Sequence, residues 1–435
     1  MALPVLGVEI DFSNGASFGY PFLLDDPDYG ILDTNILADS AADIVDITSM
    51  VMSASTRRGR NRILSNFEVG TATVTINDPN SYFNPQNTLS PYYGKLLPLR
   101  KIRIWADTTV GSTTYRIALF SGYINSFDTS FYQGVQQTST VTLQCSDGFR
   151  LLNNVSTGTA PVAGCTAGQL SGARVNSLLD FAGFPSSLRS IDPGDSTMQV
   201  DPGGQRNILQ AIQTVEQSEF GAFFISRSGE ARFLDRTDVS ELADASIRNY
   251  TDAVSGPTDL TYSNLDFAFD DQLILNDVTV TRYNNGIPTP AVPQTATDAA
   301  SIATYFTKSG QRSDILVETD AESLDQANTL VAARKGSQIR IDSMGLNLAI
   351  GTEFEQLVNV SMDIYTLINI TKTMSGGSTI TRELFVQGVQ HNVTPTTWNT
   401  TFLTAEPIIQ AFILDSPEQG ILGLTDPPNT NALSY

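Results

Sequence analysis

The run Thr71-Ala72-Thr73-Val74-Thr75-Ile76 sets apolar against polar residues at every second position. Successive side chains of a strand point to opposite faces, so such a run needs one wet face and one buried face. Its neighbours are built alike. Val5–Phe12, Phe67–Asn77, Lys101–Asp107, Tyr115–Asn125 and Thr138–Cys145 are rich in Val, Ile, Thr and aromatic residues. Turn signals such as Asn77-Asp78-Pro79 and Asn84-Pro85 punctuate them. Short, turn-separated strands at this density predict a barrel or sandwich over 1–150.

The pattern changes after a Gly/Thr/Ala/Pro-rich connection at 153–170. A helix is expected over Ala173–Ala182, stopped by Gly183-Phe184-Pro185. A second runs from Asn207, its N-cap, to Glu219, with Ile208, Leu209, Ile212 and Val215 on one face. Ala222–Ser226, Ser228-Gly229 and Ala231–Asp235 then read as a hairpin. Residues 151–261 thus form a linker and a small α+β domain.

Strand character returns over 262–395, at Leu273–Tyr283, Gln338–Asp342, Leu357–Ile364, Ile368–Ser375 and Thr379–Gln387. Helices at Ala299–Phe306 and Ala321–Lys335 interrupt it. For the second, Thr319 and Glu322 fit a capping box and Gly336 fits the exit. Residues 396–435 are left as a C-terminal arm. The expected fold is mainly β with α+β insertions, two β-barrel-like units flanking a small α+β domain.

Charge narrows the function. With Asp+Glu 46 against Lys+Arg 25, the net charge of −21 argues against a general nucleic-acid binder, because neutralising phosphates needs surplus cations. An acidic wall would instead let DNA pass without sticking. The start Met1–Phe12 has no basic-then-apolar signal pattern, and no apolar run approaches the ~18 residues that span a bilayer. A soluble protein made in a cytoplasm is expected, with no stable membrane insertion.

Catalytic chemistry finds little material. His391 is the one histidine, so it would have to serve as base for any serine nucleophile. Gly15-Ala16-Ser17-Phe18-Gly19 matches G-x-S-x-G, but Tyr20-Pro21 follows where a nucleophile elbow needs a helix. The clusters Asp25-Asp26-Pro27-Asp28 and Asp270-Asp271 read as turn residues in preference to a glycosidase pair or Ca²⁺ ligands. Cys145 and Cys165 lack C-x-x-C spacing and read as buried thiols, with a bridge across the intervening loop left open. No catalytic residue, cofactor or metal site is expected.

Two features point to assembly. Arg57, Arg58, Arg60 and Arg62 lie within six residues of an acidic chain. Arginine suits bidentate pairing with carboxylates, so an inter-subunit salt-bridge loop is the leading reading, ahead of a solvated loop and a DNA contact. Second, residues 22–33 and 412–423 share seven of twelve positions, including Phe, Asp, Pro and Gly-Ile-Leu. They are either two similar turns or copies of an arm that adds a strand to another subunit, with Phe412, Leu414, Asp415 and Pro417 as its contacts.

The order of segments resembles the minor tail proteins, or tail hub proteins, of long-tailed bacteriophages. The likeness runs through Ser55–Arg60, Phe67–Pro79, Asn84-Pro85, Ser90-Pro91-Tyr92 and Leu97-Pro98 ahead of Ile102-Arg103. It continues through Gly172–Pro185, Asn207–Gly221, the Gly229 hairpin ending in Phe233–Arg236, Asn276–Arg282 and Asp298–Thr307. The resemblance implies a non-enzymatic homotrimer at the tail tip of a virion. Two barrels per chain would make a ring of six modules, adapting six-fold tail symmetry to a three-fold tip around the DNA exit channel. Implied partners are the distal tail protein, the tape-measure protein and receptor-binding or tail-fibre proteins. The alternatives are a carbohydrate-binding adhesin of the tail tip and a tail-borne cell-wall hydrolase.

Overall fold

The structure, a computed structural model, describes residues 3–13, 43–61, 66–132, 138–241, 247–253, 256, 259–284, 287, 289–337 and 339–406. The first part supplies β1 (Val5–Asp11), β2 (Ile44–Asp46), β3 (Val51–Gly59), β4 (Thr71–Asn77), β5 (Arg100–Val110), β6 (Thr113–Tyr132) and β7 (Thr138–Ser146). In β4 the alternation does what its residues require: Ala72, Val74 and Ile76 are buried while the threonines between them face outward.

The middle part contains α1 (Phe149–Asn154), β8 (Gln169–Leu170), α2 (Ser171–Phe181), β9 (Arg189–Ile191), β10 (Thr197–Met198) and α3 (Ile208–Glu219). It continues with β11 (Ala222–Ile225), β12 (Ala231–Leu234), α4 (Arg236–Glu241) and β13 (Arg248–Thr251). Asn207 caps α3 through the Gln210 N–H, and Gln210 reciprocates, completing a capping box. The hairpin of β11 and β12 turns at Gly229, whose φ of 93° suits glycine.

The last part holds β14 (Asn264–Ala268), β15 (Asp277–Arg282), β16 (Gln294–Thr297), α5 (Ala299–Tyr305), β17 (Ser309–Ile315) and α6 (Asp320–Arg334). Then come β18 (Arg340–Asn347), α7 (Glu353–Ser361), β19 (Leu367–Thr373), β20 (Thr379–Val393) and β21 (Trp398–Ala405). The Thr319–Glu322 capping box opens α6 as expected.

Strands take 42% of the structure and helices 20%, so the chain is mainly β. The two expected barrels do not close separately among the described residues. Their strands join in one sheet, ordered β14-β18-β21-β20-β3-β4-β7-β6-β5-β1-β2. The connection is β20, which is long enough to have two partners along one edge. Thr379–Phe385 pairs with β19, and Gly388–Val393 pairs with β3. A single hydrophobic core follows, running from Val8 and Ile104 in the first half to Met344 and Phe402 in the second.

Three expectations for the second half need correction. The strand within Leu273–Tyr283 belongs to a separate sheet, β16-β15-β17, backed by α6 and holding its own small core. Leu357–Ile364 begins as the last turns of α7, which starts at a Thr352–Glu355 capping box, and only then leaves the helix. Residues 398–405 form β21, an interior strand burying Trp398, Thr400, Phe402 and Thr404, so the sheet extends to Ala405 and not to 395. Among the described residues, no helix is long and apolar enough to cross a membrane.

Candidate functional site

The arginine run lies on the seam between the two halves of the sheet. Arg57 and Arg58 sit on β3, paired with Gln390 and Val389 of β20. Opposite face directions separate their fates. Arg57 points outward and meets Glu68 at 2.6 Å and Asn61 at 2.9 Å. Arg58 points inward and is only 4% exposed. Its Nε donates to the Leu119 carbonyl at 2.9 Å, and its Nη2 meets Asp363 Oδ1 at 2.7 Å.

Arg60 is also buried, 5% exposed. Its Nε donates to Gln387 Oε1 at 2.8 Å and its Nη2 to the Tyr365 hydroxyl at 2.7 Å. The guanidinium lies 4.3 Å from the Phe67 ring centroid, a cation–π contact in a dry setting. Gln387 is the bulged residue of β20 at which the register against β21 shifts, and the bulge turns its side chain into the seam. The expected inter-subunit role is therefore corrected for Arg58 and Arg60. Both guanidiniums find partners inside the chain, Arg58 through Nε and Nη2 and Arg60 through Nε and Nη2, as a buried cation requires. Arg62 lies outside the described residues, as do Phe412, Leu414, Asp415, Pro417 and both copies of the repeat.

Asp363 ties three parts of the chain together. It receives Arg58 from the first half and Arg227, at 3.5 Å, from the hairpin of the α+β unit. Burial alone would raise its carboxyl. The two arginines, with hydrogen bonds from Arg58 and the Ile364 N–H, bring it below the usual carboxylate value. An aromatic cluster crosses the same joint. Phe67 stands 5.3 Å from Phe224 and 6.1 Å from Tyr365, and Tyr365 stands 5.9 Å from Phe385. Tyr365 holds a φ of 65°, a left-handed conformation a bulky side chain adopts only when its surroundings fix it. Nothing in this constellation is a nucleophile beside a base. Chemically it is a three-way clamp.

His391 is buried on β20, its Nδ1 2.9 Å from the Thr400 hydroxyl and 3.4 Å from Trp398 Nε1. Desolvation first, and the charge of Arg58 second, push the ring down to about 3, so it stays neutral at ordinary pH. Gly15–Gly19 and Asp25–Asp28 lie outside the described residues. Asp270 pairs with Arg340 at 2.8 Å and Asp271 with Lys308, which gives both a structural use. Cys145 and Cys165 are free, buried in different cores.

One acidic cluster escaped the sequence. The parallel pairing of β9 with β12 brings Asp192 and Asp235 to adjacent strand ends, and α4 adds Asp238. Oxygens of the three lie within 4.8 Å of one another. Asp235 accepts from the Gly194 and Asp238 N–H groups. Burial, then Asp238 and Asp235, raise Asp192 to about 7, which favours its protonated form. Only parallel strand pairing, invisible in local sequence, could have predicted it.

No protein-family model matches the sequence, and no curated protein does. Solved structures do match. The 43 kDa tail protein of prophage MuSo2 from Shewanella oneidensis aligns with a TM-score of 0.54 at 11% identity, covering 84% of this chain and 96% of that one. The tail protein from Neisseria meningitidis MC58 aligns with a TM-score of 0.53 at 12% identity, covering 82% and 93%. At such identities the fold is what is shared. The chain has the fold of these tail proteins over nearly their whole length.

Proposed function

We propose that the chain is the structural hub of a phage tail. Three copies would form a ring at the tail tip, around the channel through which DNA leaves. The observation that carries this reading is the joint at β3 and β20. It welds two sheet halves into one body within a fold shared with solved tail proteins. Two halves per chain suit a ring of six modules from three chains, which adapts a six-fold tail to a three-fold tip. A clamp of buried arginines and aromatic rings suits a part that must transmit force without flexing.

The work assigned to the protein is assembly and not catalysis. Its partners would be the distal tail protein above, the end of the tape-measure protein within, and receptor-binding or fibre proteins below. The net charge of −21 favours passage of DNA without retention. Arg57, on the solvent side of the run, is one candidate for contact between copies, and Arg62 is proposed as another from the sequence alone. Electron micrographs of the purified chain test the proposal. A three-fold ring with a central opening is expected, and isolated compact particles that bind glycan would overturn it.

A further inference from the structure

The main sheet ends on an open strand. β14 pairs with β18 on one side only, and nothing among the described residues pairs with its other side. The extra residue of the β14–β18 bulge, Asp342, lies on β18, so alternation along β14 is uninterrupted. Leu265 and Phe267 therefore share a face. Leu265 packs against the main core, while Phe267 remains 41% exposed and Phe269, just beyond, 69%. An open edge carrying half-covered apolar side chains invites another strand.

The described chain ends two strands in from that edge. Glu406 follows β21 and lines one groove with Arg340, Asp270, Leu273 and Ile274, at the exit of β14. From β21, the order β21-β18-β14 places the vacant position three strand spacings away. At about 4.8 Å each, this is roughly 14 Å. The five Cα steps from Glu406 to Ala411 reach about 17 Å. By that reach, Ala411 is the first residue able to enter the new position.

We propose that Ala411–Asp415 adds to β14 of its own chain as an antiparallel strand. With Ala411 opposite Ala268, Phe412 meets Phe267, Ile413 meets Asp266 and Leu414 meets Leu265. Both apolar pairs then fall on the face that continues the core. A slip by one residue would set Phe412 against Asp266 and lose them, so the pattern selects this register. Asp415 and Pro417 end the strand, since proline donates nothing to a ladder. The repeated Phe-x-Leu-Asp-x-Pro then serves as a β-addition segment, and short reach assigns its acceptor to the same chain where the sequence suggested another subunit. The inference stands on the edge and the reach, whatever the assembly state.

The test is a cysteine pair in the full-length protein, Asp266→Cys with Ile413→Cys, placed on the solvent face of the proposed ladder. Opposed positions in a ladder are close enough for a disulfide after small adjustment. Mild oxidation should link residues 266 and 413 within one chain, at least tenfold faster than the out-of-phase pair Asp266→Cys with Leu414→Cys. A link between two chains would overturn the assignment in favour of a second copy, and equal rates for both pairs would overturn the register. Hydrogen exchange supplies a readout free of new cysteines. In Phe412→Asp, amides of Asn264–Ala268 should exchange at least tenfold faster than in the parent, whereas unchanged exchange would contradict the added strand.

Discussion

At Glu216, burial and charge pull in opposite directions. The side chain sits on α3 with 4% of its surface exposed. Burial, the larger effect, raises its carboxyl from 4.5 to about 7 against the pull of Arg60, the Phe223 N–H and Arg312. A carboxyl raised on folding binds protons more tightly in the folded chain. Its contribution is therefore most favourable below about 4.5 and is lost as the pH climbs to about 7. Glu216→Gln should melt several degrees above the parent at pH 8, with the gain shrinking towards pH 5. Equal gains at both values would contradict the assignment. Asp363 has the opposite sign. Its lowered value adds stability above the usual carboxylate range, lost as the pH falls through the folded value. Asp363→Asn strands the buried Arg58 and should cost about 2 kcal/mol in urea unfolding at pH 7, discounted for the partial exposure of Asp363.

The seam between β3 and β20 is the element on which the architecture depends. Gly59 closes it with a φ of 102°, and a side chain there would run into the Gln387 carbonyl. Gly59→Ala should destabilise the protein by more than the ~1 kcal/mol of an ordinary glycine replacement, read as a lowered urea midpoint. Thr352→Ala, which removes the capping box of α7, should cost about 1 kcal/mol.

These two elements also show what local sequence carries. The alternation in β4 and the caps at Asn207 and Thr319 were legible because each is a short-range rule satisfied by adjacent residues. The helix α7 was missed although Thr352 and Glu355 announced it, because Val358, Val360 and Ile364 also read as a strand. The strand β3 was masked by its arginines. A cationic run looks solvated until its partners Asp363, Tyr365 and Gln387 arrive from some three hundred residues away. The clamp was therefore visible in the sequence as a charge anomaly, and its address was not.

At the scale of the whole molecule, one sheet and one continuous core make the two halves a single mechanical unit, with the α+β unit held at the joint by Asp363 and Phe224. A body of this kind can repeat around an axis without its halves hinging. Its surplus of carboxylates gives the surface a strong negative field, so in the proposed trimer salt should tighten contacts that like charges oppose. The decisive quantity is the mass of the particle in solution. Light scattering over a range of protein and salt concentrations should give a plateau at three times the 47.0 kDa chain mass. A mass that stays at one chain under all those conditions would contradict a trimeric hub.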